Sequence, residues 1–210
     1  MAGIPQTDYY ATGQPKETYS LENGALDGQV LSYDPAGHLV SRAHFRRGVL
    51  EGNVTIYDEF GAVKEVASFH LGLQEGDTSI YSAGVLRALL RYKAGKQEGE
   101  SQLFNEAGLM TVKQHYKQGV LHGESFSYDA AGRVFRMSTY ERGVLSGPAT
   151  EYHPSGKVRE VAHYKADRLH GELLRYDPGG VLTERLCFRE GKPVTCPALS
   201  PQIRPTAARR

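Results

Sequence analysis

The chain has 210 residues, with 25 Lys and Arg against 24 Asp and Glu and a formal net charge of +1. That length allows one or two ordinary domains, and 40% hydrophobic with 23% charged residues describes a soluble, ordered chain. The near-neutral balance argues against a dedicated nucleic-acid binder, which normally carries a basic excess, and no apolar run approaches the roughly 18 residues of a membrane-spanning helix.

The opening stretch, MAGIPQTDYYATGQPKE, has neither the basic n-region nor the apolar h-region of an export signal. A cytoplasmic chain is therefore expected, with residues 1–8 as an N-terminal cap or tail. From Tyr9 onward a period sets in. Glycine recurs at Gly13, Gly37, Gly61, Gly84, Gly108, Gly132, Gly156 and Gly180, in steps of 24 with a single 23. Four residues before these glycines stand Tyr9, Tyr33, Tyr57, Phe104, Tyr128, Tyr152 and Tyr176; Tyr81 lies three before Gly84, where the unit is one residue short. Eight residues after them comes a second column: Leu21, Phe45, Phe69, Tyr92, Tyr116, Tyr140, Tyr164 and Phe188. Two further glycine columns follow, one through Gly119 and Gly143, the other through Gly123, Gly147 and Gly171. Such self-similarity at a fixed period is the mark of a repeat architecture.

Helix is nearly excluded by the glycines, each of which costs about 1 kcal/mol relative to Ala inside a helix; the one longer gap between them, Lys157 to His170, follows the strand pattern of its sister units. Segments such as YDPAG, YDAAG and YHPSG carry the Asp, Pro and Gly of type I turns, whose last glycine also accepts a left-handed backbone. Each is read as a hairpin tip. The strand before it is about six residues long, as in GESFSY at 123–128, and the strand after it about eight, as in RVFRMSTY at 133–140. The second connection, ERGVLSG at 141–147, is read as a longer bend. The expected fold is all-β: tandem 24-residue hairpins over residues 9–191, about seven to eight units, forming one elongated, twisted antiparallel sheet without a helical layer. At ~4.8 Å per strand, seven units span about 70 Å. Residues 192–210 form a tail rich in proline and arginine, which either hangs free or folds back to cap the last strand.

The skeleton Gxx.GxxxxYxxxGxxxxxxxY, carried by GVLHGESFSYDAAGRVFRMSTYERG and RLHGELLRYDPGGVLTERLCFREGK, resembles the MORN repeat, and more closely its longer bacterial variant. The usual opening of that variant is matched at Val120–Glu124 and Arg168–Glu172 and eroded at Gly72–Asp77 and Gly143–Pro148. The resemblance implies a non-catalytic module. Bacterial relatives of this kind imply an immunity or antitoxin-like role, and eukaryotic ones a scaffold with lipid contacts.

The residues themselves carry little chemistry. His122 and Glu124, like His170 and Glu172, mimic the H-x-E of zinc deaminases, but the P-C-x-x-C partner is missing, and two such pairs lie two units apart. No nucleophile elbow or phosphate loop occurs. No enzyme, metal or cofactor is expected. Cys187 and Cys196 are expected as reduced thiols in a cytoplasmic chain, although one bridge from last strand to tail is also open. The aromatic columns are read as packing, with a ligand-stacking platform as the lesser alternative. Charge is patterned by column. Asp27, Glu51, Glu75 and Glu98 precede the glycines at the start of successive strands, and Asp77 and Glu100 follow two of them. A basic column, Arg46, Lys93, Lys117, Lys165 and Arg189, runs beside the second aromatics. The acidic stripe is either a solvated rim or a surface that steers a basic protein partner. The expected function is direct binding of a protein, such as a toxin or effector; a membrane-lipid scaffold is the alternative.

Overall fold

The computed structural model describes residues 4–198. Among them every regular element is a strand, and the 21 strands belong to one open antiparallel sheet in hairpin succession. The fold is that expected from the period. In the unit around Gly132, the six-residue strand Gly123–Tyr128 pairs with the eight-residue strand Val134–Glu141, from Gly123 opposite Tyr140 to Tyr128 opposite Val134. The register shifts between Ser127 and Tyr128, so the first aromatic column sits at a bulge beside the tip. The same shift recurs at Tyr33, Tyr57, Phe104, Tyr152 and Tyr176.

The tip itself is closed by the chemistry its residues carry. Gly132 N–H donates to the Asp129 carbonyl and Asp129 N–H to the Arg133 carbonyl, both at 2.9 Å. The Asp129 carboxylate accepts from Ala131 N–H and Arg133 N–H, again at 2.9 Å. Gly132 has φ +74°, which closes a type I turn with a left-handed residue. Asp34 and Asp58 repeat the arrangement, and Asn105 reproduces it with an amide oxygen. The short unit instead turns on Ala83 and Gly84 alone, with Val85 opposite Ser82.

The second connection is tighter than the expected bend. Lys117 pairs with Val120 and Tyr116 with Leu121, so only Gln118 and Gly119 form the turn. Both are left-handed, φ +53° and +83°, the type I′ geometry that suits the twist of hairpin strands. Every such connection among the described residues has a non-glycine residue at the first of these positions: Asn23, Arg47, Leu71, Ala94, Gln118, Arg142, Ala166 and Glu190. A left-handed glycine such as Gly123 then re-aims the chain into the next long strand. Successive connections are stitched together by backbone bonds, Gly119 N–H to Gln97 O, Gly143 N–H to Leu121 O and Gly191 N–H to Leu169 O, each 2.8 Å.

With no second layer, most of the buried residues form a spine of small and aliphatic side chains along one face, while Thr150 and Cys187 are buried on the other. Residues directly opposite share a face: Val30 meets Ala43, Val54 meets Ala67, Ser125 meets Ser138, Ala149 meets Ala162 and Leu173 meets Leu186. Val30, Ala67, Ala149, Ala162, Leu173, Ser125 and Ser138 are buried. The aromatic columns beside the spine are half-buried. Tyr9, with no unit before it among the described residues, is 62% exposed, whereas the later members of its column are half-buried between neighbouring units.

At the N-terminal end the strand Ile4–Tyr9 pairs with Pro15–Glu22. At the other end Lys192–Val194 folds back along Cys187–Arg189. The expectation of free thiols is not met there: Cys187 and Cys196 are bonded, with Cα atoms 5.1 Å apart. The buried Cys187 on the last strand and the returning chain bring the sulfurs together, which the spacing of nine residues permits. Residues 199–210 of the tail lie outside the described residues.

Candidate functional site

The charged columns gather along the long side of the sheet that holds the second connections. Asp27, Glu51, Glu75 and Glu98 form one file there, and each has a backbone duty. Asp27 accepts from Arg47 N–H at 2.9 Å, Glu51 from Leu71 N–H at 3.0 Å, Glu75 from Ala94 N–H at 2.7 Å and Glu98 from Gln118 N–H at 2.7 Å. Every donor is a left-handed, non-glycine residue of the next connection. A carboxylate in one unit thus holds the strained turn of the next. Glu51 also meets His70 Nδ1 at 2.9 Å, and this contact, followed by the Leu71 amide, lowers its carboxyl below the usual range. The file ends where the residue type changes. His122 and Ser146 stand in the column next, and His170 Nδ1 accepts from Glu190 N–H at 3.5 Å. Around the substituted turn at Ala166 and Asp167 the direction reverses, and Asp167 accepts from Leu145 N–H at 2.7 Å.

Asp77 and Glu100 do not join this file. They lie on the face opposite the spine, where Asp77 pairs with Arg91 at 2.9 Å and Glu100 with Lys113 at 3.4 Å. Gln102 donates to Glu100 at 2.7 Å and is the main reason its carboxyl is lowered. The six acidic candidates therefore form two groups. The sequence pattern displayed the columns but not the caps, because a carboxylate that serves an amide 19 or 20 residues on leaves no local signature.

Across the sheet, the tip side holds Asp34, Asp58, Asp129 and Asp177, each with an oxygen committed to its own turn. The backbone amide of His38 lowers Asp34 and that of Arg133 lowers Asp129. The surface grooves are shallow: one of 330 Å³ lies between the tips at Asp129 and His153, and another of 580 Å³ on the connection side at Lys117, His122 and Arg142. Among the described residues no three His, Cys, Asp or Glu gather as a metal site.

Two stretches of the chain, residues 26–47 and 145–166, match a known family. It is the MORN repeat variant. Both matches begin at the connection leucine, Leu26 or Leu145, cross one hairpin and end on a left-handed residue, Arg47 or Ala166. They lie five units apart in the same phase and support a MORN-repeat chain, and MORN repeats are generally protein- or lipid-binding modules. No curated protein matches the chain. Among solved structures, a chain of the GtfA/B complex bound to UDP and GlcNAc aligns at 16% identity over 52% of this chain, with a TM-score of 0.22. The alignment takes in 22% of that chain's own length, and a likeness so slight carries no argument.

Proposed function

We propose that this MORN-repeat chain is a non-catalytic module that binds a protein directly, in the manner of an immunity or antitoxin-like protein occluding a toxin or effector. The observation that carries the reading is the form of the molecule. A single open sheet offers two wide faces and two long rims, and its grooves are shallow rather than enclosing. Small-molecule chemistry favours concave sites that bury most of a ligand, whereas extended repeat surfaces suit macromolecules. The family match agrees with binding of protein or lipid. The proposed compartment is the cytoplasm; the Cys187–Cys196 bond, of a kind that persists mainly in oxidising surroundings, is the observation that speaks against it.

The test is capture of partners by the tagged chain from its native lysate at moderate and high salt, with identification by mass spectrometry. One stoichiometric partner whose toxic activity drops on binding is the expected result. Absence of a protein partner, together with co-sedimentation on anionic vesicles, would replace this reading with a membrane scaffold.

A further inference from the structure

On the reading that the chain binds a protein, we infer that the connection rim of its C-terminal half is the docking surface, and that the partner presents an extended acidic segment to it. The carboxylates of the N-terminal half of this rim are engaged in capping turns. The cations of the C-terminal half are not engaged. Lys117, Arg142, Lys165, Arg168, Arg189 and Lys192 are all exposed, and none of their side chains has a hydrogen-bonded or ion-paired partner among the described residues. The carboxylates interspersed with them are Glu141, Asp167 and Glu190, and Asp167 is already committed to Leu145 N–H. The free charge on this side of the sheet is thus positive, opposite in sign to the acidic stripe that the sequence displays.

Geometry adds a shape to the charge. The backbone bonds between connections hold successive units in step, and two strands per unit place equivalent positions about 10 Å apart. That spacing is close to the Debye length of about 10 Å at 0.1 M salt, so neighbouring cations reinforce one another. An extended segment of polyproline II form advances about 3.1 Å per residue with three residues per turn, so carboxylates at every third residue share one side and meet one unit after another. Between Lys117, His122 and Arg142 lies the groove of 580 Å³, where Val120, 43% exposed, offers apolar contact. The interspersed carboxylates fit the mixed charges of a protein and oppose an unbroken phosphate chain.

The probe is a fluorescent peptide of repeated Glu-Ser-Gly, followed by anisotropy at low salt and at about 0.15 M. The intact chain is expected to bind it, more weakly as salt rises. Lys165→Glu, Arg168→Glu and Arg189→Glu together are expected to weaken binding by at least about tenfold with a melting temperature little changed, since these exposed side chains make no hydrogen bond or ion pair among the described residues. A control, Lys16→Glu with Arg42→Glu and Lys64→Glu, removes the same charge elsewhere and should stay within about twofold. No binding by the intact chain, an equal loss in both triple variants, or capture of phosphatidylserine vesicles in place of the peptide would each overturn the inference. A stoichiometric protein partner found without peptide binding would sink this surface alone. Peptide binding without any protein partner in the lysate would sink the proposed function instead.

Discussion

At the scale of single residues, the backbone of this array is strained where side chains are least expected to permit it. Leu71 has φ +50° and is 69% exposed, a conformation that costs an L-residue roughly 1–2 kcal/mol. The first connection uses Asn23 at the same place, φ +49°, and Asn tolerates that region far better. Leu71→Asn is therefore expected to stabilise the chain by about 0.5–1 kcal/mol, read as a higher urea midpoint; a lower midpoint would show that the exposed leucine packs against something. The tips make a prediction about acid. Asp34 and Asp129 are held below the usual carboxylate range, first by the amides of His38 and Arg133. A depressed carboxyl binds fewer protons folded than unfolded, so its stabilisation is present above the unfolded value near 4 and lost as pH falls through the lower folded value. Stability should decline below about pH 4, and Asp129→Asn should make that decline shallower while keeping the turn, as Asn105 does natively. An acid limb of unchanged steepness would separate Asp129 from it.

At the scale of elements, the hairpin was legible because it is written locally. Turn residues, alternation and the six-plus-eight strand lengths all lie within one 24-residue unit, and the structure follows them. What lies between units was less visible. The two-residue left-handed turns escaped the sequence reading because residues such as Arg47 and Glu190 stand where Asn or Gly would signal them. The spine shows a similar hidden coupling. Where the connection column holds Gln74 or Gln97 in place of leucine, the buried spine residue is Thr78 or Ser101, and the amide donates to that hydroxyl at 2.6 or 2.8 Å. Other units combine Leu145 with Ala149, which has no such bond to make, or Leu121 with the buried Ser125. Gln97→Leu alone leaves the Ser101 hydroxyl without this donor and should cost about 1 kcal/mol or more. Adding Ser101→Ala should restore most of it, because the pair then matches Leu145 with Ala149. Equal denaturation midpoints for the single and double variants would show that the hydroxyl finds another partner.

At the scale of the whole molecule, each unit touches only its neighbours along the array, so stability is expected to vary along the array. The ends are its weak points, since an open edge presents unpaired backbone. Pro5 stands in the first strand, where a residue without an N–H blunts the edge. The last strand is covered by residues 192–197, tied down by Cys187–Cys196 and by the Arg185 Nη1 bond to the Pro197 carbonyl at 3.0 Å. The bond spans nine residues of a single hairpin end and crosses no other unit, so its effect is confined to that end. Cys196→Ser is expected to raise hydrogen exchange in Leu182–Arg189 and Lys192–Val194, with loss of up to about 2–3 kcal/mol of local protection. Amides of Gly52–Tyr57 and Val63–His70 should exchange as before, because several hairpins separate them from the clasp. Adding reductant to the unaltered chain should reproduce the pattern, and the serine variant should not respond to it. Exchange that rises evenly through all units would mean that the array opens as one cooperative body, and the nearest-neighbour description of its stability would have to be abandoned.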